Sequence, residues 1–302
     1  MKILVTDGMD KDAISTLRTK GHEVIEQFYE IDQLNEKIKN IDVIIVRSAT
    51  KIRKNTIDSA LSTKKLKMVI RGGVGIDNID YEYARSKGII VNNTPKASSA
   101  AVAELALSHM FSLARFIGIA NATMREGQWN KKEYKGIELN NKTLGLIGFG
   151  RIAKELAKRA NALGMKVIYN DILGENNQYK QYKYVELDQL LKTSDFISMH
   201  IPADPSKGPF IDKEKINKMK DGVYFINTSR GALVDELALL DGLNSNKLGG
   251  AGLDVFMEEP TKNSELINHA KVSVTPHIGA STKEAQKRIG EEIVNIIESM
   301  EE

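Results

Sequence analysis

Apolar residues recur along this chain in two alternating periods, and the alternation predicts its architecture. Short β-branched runs at residues 3–6, 24–26, 43–46, 68–70 and 89–91 read as buried strands. Between them, residues 11–19, 31–38, 57–61 and 81–87 carry the three-to-four-residue spacing of amphipathic helices. This predicts parallel βαβ units, hence a small doubly wound α/β domain over residues 1–93. Asn92-Asn93-Thr94-Pro95 then interrupts regular structure and marks a crossing into a second domain, expected over residues 94–280. Ser98 or Ser99 is placed to cap the next helix, with Glu104 early in it. Its apolar face runs through Val102, Leu105, Leu107, Met110, Leu113 and Phe116, and predicts one long helix, buried or dimer-forming. Trp129, in a polar loop beyond it, suits an interface anchor and equally a core position.

A second alternating series follows. Strands are expected at 143–147, 166–169, 196–199, 223–226, 250–253 and 272–274, with helical patterns at 187–191, 214–219 and 236–243. The last segment, 281–302, is an amphipathic helix able to return to the first domain.

The junction after residues 143–147 is the most informative stretch. It reads Gly148-Phe149-Gly150-Arg151-Ile152-Ala153 and leads into a helix with Ile152, Ala153, Leu156, Ala157, Ala160 and Leu163 on one face. Gly164 ends that helix, and the next strand runs to Asp171. Gly148 permits a tight strand-to-helix turn, and Gly150 lets a pyrophosphate approach amides at the positive end of the helix. Asp171 follows roughly 20 residues later, the spacing of the acid that bonds the adenosine ribose. A carboxylate there repels a 2′-phosphate, and Ile172 and Leu173 offer no cation for one. NAD is therefore expected over NADP. Ala153 stands where the dinucleotide fingerprint usually has its third glycine, a position that tolerates alanine.

Composition narrows the class without changing it. At 302 residues, 41% apolar and 27% charged, the chain suits two globular domains. A net charge of +3, interspersed along the sequence, argues against nucleic acid. The absence of cysteine excludes disulfides, thiolate nucleophiles and cysteine metal sites. No histidine pair or carboxylate cluster suggests a metal. Residues 101–120 contain Glu104, His109 and Arg115, so no membrane span is expected there. Without a signal-peptide pattern at the start, a cytoplasmic location is expected.

Candidate chemistry lies just past the strands. In the first domain, Arg47-Ser48 and the stretch Arg71-Gly72-Gly73-Val74, continuing to Asn78, follow two strands and can receive an anionic substrate. In the second, Thr228 and Arg230, Asp254 and Glu259, and His277 and Gly279 follow three late strands. All should reach the edge of the sheet where the glycine turn lies, as should His200 and Pro202 after residues 196–199. His277 is the expected proton carrier, Glu259 the carboxylate orienting it, and Arg230 a bidentate clasp for a substrate carboxylate. Asp254 suits the nicotinamide amide.

Seven segments carry a resemblance over essentially the whole chain: VRSATK (46–51), RGGVGIDNID (71–80), NTPKASSAAVAELALSHM (93–110), LGLIGFGRIA (144–153), NTSRGALVDE (227–236), GLDVFMEEP (252–260) and TPHIGAST (275–282). Through them the sequence resembles the NAD-dependent D-isomer-specific 2-hydroxyacid dehydrogenases, most of all their phosphoglycerate dehydrogenase branch. The resemblance implies a Rossmann NAD-binding domain inserted into a flavodoxin-like substrate domain formed by both chain ends, and a homodimer built on the long helix. It assigns catalysis to Arg230, Glu259 and His277. Arg151, Ile152, Asp171, Thr228 and Asp254 fall on cofactor contacts, and Arg47, Gly73, Val74 and Asn78 on substrate positions. The expected reaction converts 3-phospho-D-glycerate to 3-phosphohydroxypyruvate, with Lys51, Arg53 and Lys54 joining Arg47 at the phosphate. Glyoxylate, hydroxypyruvate or a longer 2-keto acid is the alternative substrate, and NAD-gated corepressor-like binding a remote one. The serine-binding regulatory domain of longer members has no counterpart here, so feedback by serine is not expected.

Overall fold

The computed structural model describes residues 1–204 and 206–300; residues 301 and 302, the end of the expected closing segment, lie outside the described residues. The chain divides into one unit of Met1–Ser99 with Ala280–Glu302 and another of Ala100–Gly279.

In the first unit, strands β1 (Lys2–Val5), β2 (Glu23–Glu26), β3 (Val43–Val46), β4 (Met68–Arg71) and β5 (Ile90–Asn93) alternate with helices α1 (Lys11–Thr19), α2 (Ile31–Lys37), α3 (Lys54–Leu61) and α4 (Tyr81–Ser86). The strands are parallel in the order β2-β1-β3-β4-β5, the flavodoxin-like arrangement. Every residue of β3 is buried, as a central strand covered on both faces requires. Alternation along β1 sends Ile3 and Val5 to one apolar cluster and Leu4 to the other.

The crossing into the second unit leads to α5 (Ser99–Arg115) and then α6 (Ile117–Arg125). The single long helix expected here is broken at Phe116, whose φ of 57° is left-handed, and the two pieces meet at a 64° bend. The break accompanies contacts from a returning segment. The amide of Ile137 returns to bond the carbonyl of Ala114 at 2.9 Å, and the Phe116 ring stacks on Tyr134. Phe116 therefore leaves the apolar face, of which Val102, Ala103, Ala106, Met110, Leu113 and Ala114 are buried. Trp129 is 76% exposed, which removes the core reading of that residue.

The second sheet contains β6 (Thr143–Ile147), β7 (Lys166–Asn170), β8 (Lys183–Tyr184), β9 (Phe196–Met199), β10 (Val223–Asn227), β11 (Leu248–Leu253) and β12 (Val272–Val274). Helices α7 (Arg151–Ala162), α8 (Leu187–Thr193), α9 (Lys213–Lys218), α10 (Glu236–Asn244) and α11 (Ser264–Ile267) connect them. All pairings are parallel, in the order β12-β11-β10-β9-β6-β7-β8. The two-residue β8 has no apolar run of its own and was not foreseeable from periodicity. α12 (Lys283–Glu298) closes the first unit, burying Ile289, Ile293 and Ile297 with Ile14 and Leu17 of α1. Among the described residues no single helix is long and apolar enough to cross a membrane.

Candidate active site

Because the second sheet is wholly parallel, β6, β7, β9, β10, β11 and β12 deliver their following loops to one edge. Strand order reverses between β6 and β9, where open α/β sheets form a ligand crevice. The glycine turn leaves β6 at this point. Gly148 has φ +86°, and a Cβ there would lie 2.7 Å from the His200 carbonyl oxygen and from Cγ2 of Ile201. Only glycine lets β9 end so close to the turn. Gly150 is the N-cap of α7 and makes no side-chain cap bond, and among the described residues no atom lies within 4 Å of where a Cβ on it would stand. The first-turn amides and the helix dipole make a site for phosphate. Arg151 and Ile152 open the helix, and Ala153 is fully buried where a larger side chain would hold it off the sheet.

Asp171 stands at the end of β7. One carboxylate oxygen accepts the amide of Phe149 at 2.6 Å and the other the amide of Leu173 at 2.9 Å, which ties this strand end to the glycine turn. Ile172 and Leu173 beside it are 100% and 90% exposed. After β10, the Thr228 hydroxyl is buried without a hydrogen-bond partner among the described residues, an arrangement that awaits a polar ligand. An uncapped helix start, an acid at the neighbouring strand end and an orphaned hydroxyl together fit a dinucleotide. His200 directly follows β9, with Nε2 2.9 Å from Ser198 Oγ, and burial pushes its pKa down to about 3. Its ring is therefore neutral. Pro202 is exposed two residues further on.

Arg230, Glu259 and His277 are brought together from the ends of β10, β11 and β12. His277 Nδ1 lies 2.7 Å from Glu259 Oε2. The other Glu259 oxygen accepts the Phe256 amide at 3.2 Å. Burial pushes the Glu259 carboxyl up, but the His277 bond and charge, the Phe256 amide and the Arg230 charge outweigh it and leave the acid below its ordinary range. An ionised carboxylate only accepts, so Nδ1 carries the hydrogen, and in the uncharged form of the ring it is Nε2 that holds the lone pair. Asn227 shapes the arginine loop, donating to the Arg230 carbonyl at 2.8 Å and accepting from the Ser229 amide at 3.0 Å. Gly231 lets this loop touch the next, since its Cβ would fall 1.9 Å from the carbonyl carbon of Phe256.

Asp254 has a role that residue type alone did not suggest. It is 1% exposed and receives Thr275 Oγ1 at 2.6 Å, the Ile278 amide at 2.8 Å and the Gly279 amide at 2.9 Å. It thus anchors the loop carrying His277, a residue at φ 53°. Glu236 was missed altogether. It accepts from the Met257 amide and from the side chain of Asn263, both at 2.8 Å, and so holds the loop of Glu259. Nothing local in the sequence marks a contact across more than 20 residues.

In the first unit, the predicted substrate residues gather after β3 and β4. Asp7, beyond β1, accepts the amides of Arg47 and Thr50 at 2.6 and 3.0 Å. The Asn78 amide group donates to the carbonyls of Arg47 and Thr50, both at 2.7 Å, and braces the loop that includes Ser48. Gly72 and Gly73 are buried, whereas Val74 is 37% exposed. Two expected phosphate partners are engaged elsewhere: Arg53 pairs with Asp80 at 3.0 Å, and the Lys54 ammonium lies 5.2 Å from the Tyr83 ring centre.

A family profile described as "D-isomer specific 2-hydroxyacid dehydrogenase, NAD binding domain" matches residues 107–279. The chain is 47% identical to hydroxypyruvate reductase of Thermotoga maritima, over 98% of this chain and 97% of that one. It is 45% identical to D-3-phosphoglycerate dehydrogenase of Methanocaldococcus jannaschii over 96% of its length, but covers 55% of that enzyme. It thus spans about half the length of that relative. Among solved structures, D-lactate dehydrogenase from Aquifex aeolicus, complexed with NAD and lactic acid, shares 29% identity at a TM-score of 0.85, over 99% of this chain and 95% of that one.

Proposed function

The chain belongs to the D-isomer specific 2-hydroxyacid dehydrogenase family, and on that premise we propose that it oxidises 3-phospho-D-glycerate to 3-phosphohydroxypyruvate, an entry to serine synthesis. The observation that carries the reaction is the 2.7 Å pairing of His277 with Glu259 beside Arg230. NAD, when bound, supplies the acceptor for the hydride that leaves C2 of the substrate. Gly148, Gly150, Arg151, Ile152 and Asp171 would hold its diphosphate and adenosine ribose. His200, Pro202, Thr228, Asp254 and Gly279 would border the rest. Arg230 clasps the substrate carboxylate and fixes which face of C2 is presented. His277 Nε2 takes the hydroxyl proton as the C2–H bond breaks, and Glu259 steadies the imidazolium that forms. In the reverse direction the same nitrogen returns the proton to the keto oxygen.

Arg47, Ser48, Gly72, Gly73, Val74 and Asn78 are assigned to the remaining groups of the acid. Support for a phosphate comes from a cavity of about 580 Å³ in the first unit, lined among others by Lys11, Arg47, Lys283 and Lys287. The second reading is reduction of hydroxypyruvate, favoured by the 47% relative of nearly equal length. We assign a cytoplasmic location and a homodimer. The dimer is supported by α6, which buries no residue, and by Ile117, Met124 and Trp129, each more than half exposed; sedimentation at micromolar concentration tests it.

Steady-state rates on 3-phosphoglycerate, glycerate, hydroxypyruvate and glyoxylate, each with NAD(H) and NADP(H), test the reading. The phosphorylated acid should exceed glycerate in kcat/KM by at least roughly tenfold, and NAD should exceed NADP. Equal use of glycerate, or better use of unphosphorylated hydroxypyruvate, would overturn the phosphate assignment.

A further inference from the structure

His109 is a buried, uncharged histidine outside the reacting trio, and its surroundings are specific. It lies on α5, 2% exposed, against β11 and β12. β11 has made room for it: a Cβ on Gly252 would sit 2.6 Å from the His109 Cβ. Both ring nitrogens are used, Nδ1 2.9 Å from Ser273 Oγ and Nε2 3.0 Å from Thr275 Oγ1.

The direction of these bonds follows from proton counting. Thr275 has one hydroxyl hydrogen and gives it to Asp254 at 2.6 Å. It must therefore accept from His109, which places the ring hydrogen on Nε2. Nδ1 is then an acceptor, and Ser273 donates to it. The result is a one-way chain, Ser273 to His109 to Thr275 to Asp254. Asp254 in turn receives the Ile278 and Gly279 amides that follow His277 in sequence. The Ser273 bond needs a neutral ring, because Nδ1 must accept, and burial lowers the His109 pKa against the pull of the Asp254 charge.

We infer that His109 is a positioning residue for the proton-transfer step, acting through Thr275 and Asp254 on the loop that carries His277. An apolar side chain would fill the same space and avoid the desolvation cost of a buried imidazole. What only a donor supplies is the hydrogen that turns the Thr275 hydroxyl toward Asp254. This inference rests on the assignment of His277 as proton carrier.

The test compares His109→Leu, His109→Gln and Thr275→Val with His277→Ala in the full-length protein. Leucine keeps bulk and loses both bonds; glutamine restores a donor near the Nε2 position. His109→Leu should lower kcat by roughly tenfold or more, because small misplacements of a reacting group are costly, with substrate KM and NAD affinity within about twofold. His109→Gln should recover most of the loss. Should the leucine variant fail to fold, Thr275→Val reads the same link with His109 in place, and should cause a comparable kcat loss at unchanged KM. An unchanged kcat in His109→Leu or Thr275→Val, or glutamine no better than leucine, overturns the inference. If His277→Ala keeps near-normal turnover, it is the assignment of His277 that fails, whatever the His109 variants do.

Discussion

Replacing Asp254 by asparagine measures how far the loop that carries His277 depends on one acid. The carboxylate is 1% exposed and has three donors, two converging on Oδ1 and the Gly279 amide on Oδ2 at 2.9 Å. Asparagine has the same shape but only one acceptor oxygen. With that oxygen kept at the doubly occupied position, its NH₂ confronts the Gly279 amide. A hydrogen bond to a charged group is lost, about 1.5–3 kcal/mol, and a buried donor is left unmade, about 1–3 kcal/mol. Partial relaxation of the loop brings the expected loss to roughly 2–4 kcal/mol. For a unit of this size that is a fall in melting temperature on the order of 10 °C. The loop also holds His277 at φ 53°, a left-handed conformation that costs a non-glycine residue about 1 kcal/mol or more. Its amide bonds to the carbonyls of Asp254 and Thr275, at 2.8 and 3.1 Å, keep it there. Once the anchor weakens, the backbone relaxes and the imidazole leaves Glu259. Urea denaturation, with kcat measured where the variant remains folded, should show both losses together. An Asp254→Asn protein within 0.5 kcal/mol of the parent, with normal kcat, would refute the reasoning.

Two further outcomes follow from the same geometry. Gly231→Ala puts a methyl group 1.9 Å from the Phe256 carbonyl carbon, so the loops of Arg230 and Glu259 must part. We expect kcat to fall by roughly 10²-fold, with a loss of about 1–3 kcal/mol in stability, by steady-state kinetics and urea melts; a silent substitution would mean that these loops are not closely joined. His200 has a folded pKa of about 3 against about 6.5 in the unfolded chain. The unfolded state therefore binds one more proton across this window, and stability contributed by the neutral ring falls as pH drops from 6.5 toward 3. Replacing His200 with glutamine should reduce the slope of stability against pH there by up to about 1.4 kcal/mol per unit, and identical slopes would refute it.

What could be read in the sequence was what depends on neighbours. The apolar runs of β3, β6 and β9 identify themselves, and Gly148-Phe149-Gly150 carries its reason for being in adjacent residues. Arg230, Glu259 and His277 were legible because each follows a strand, and parallel strands end at one edge. The pairing of Glu259 with His277 was expected from residue type as well, whereas strand order required the fold, since the outermost β8 and β12 have no pattern that ranks them. The break at Phe116 was hidden because its cause, the Ile137 amide, lies on a returning loop. His109 looked like an ordinary helix residue for the same reason. Its two partners are 164 and 166 residues away.

His277 follows β12, which is three residues long and pairs with β11 alone at the end of the sheet. Margins are where hydrogen exchange begins, because local opening there disrupts few contacts. His277, the proposed proton carrier, is thus attached to a marginal strand that is expected to open before the remainder of the sheet. On gentle heating, turnover should disappear before the ellipticity of the chain changes, and a protease should find residues 270–279 early. Dehydrogenase activity in this molecule reports the integrity of its margin sooner than that of its core.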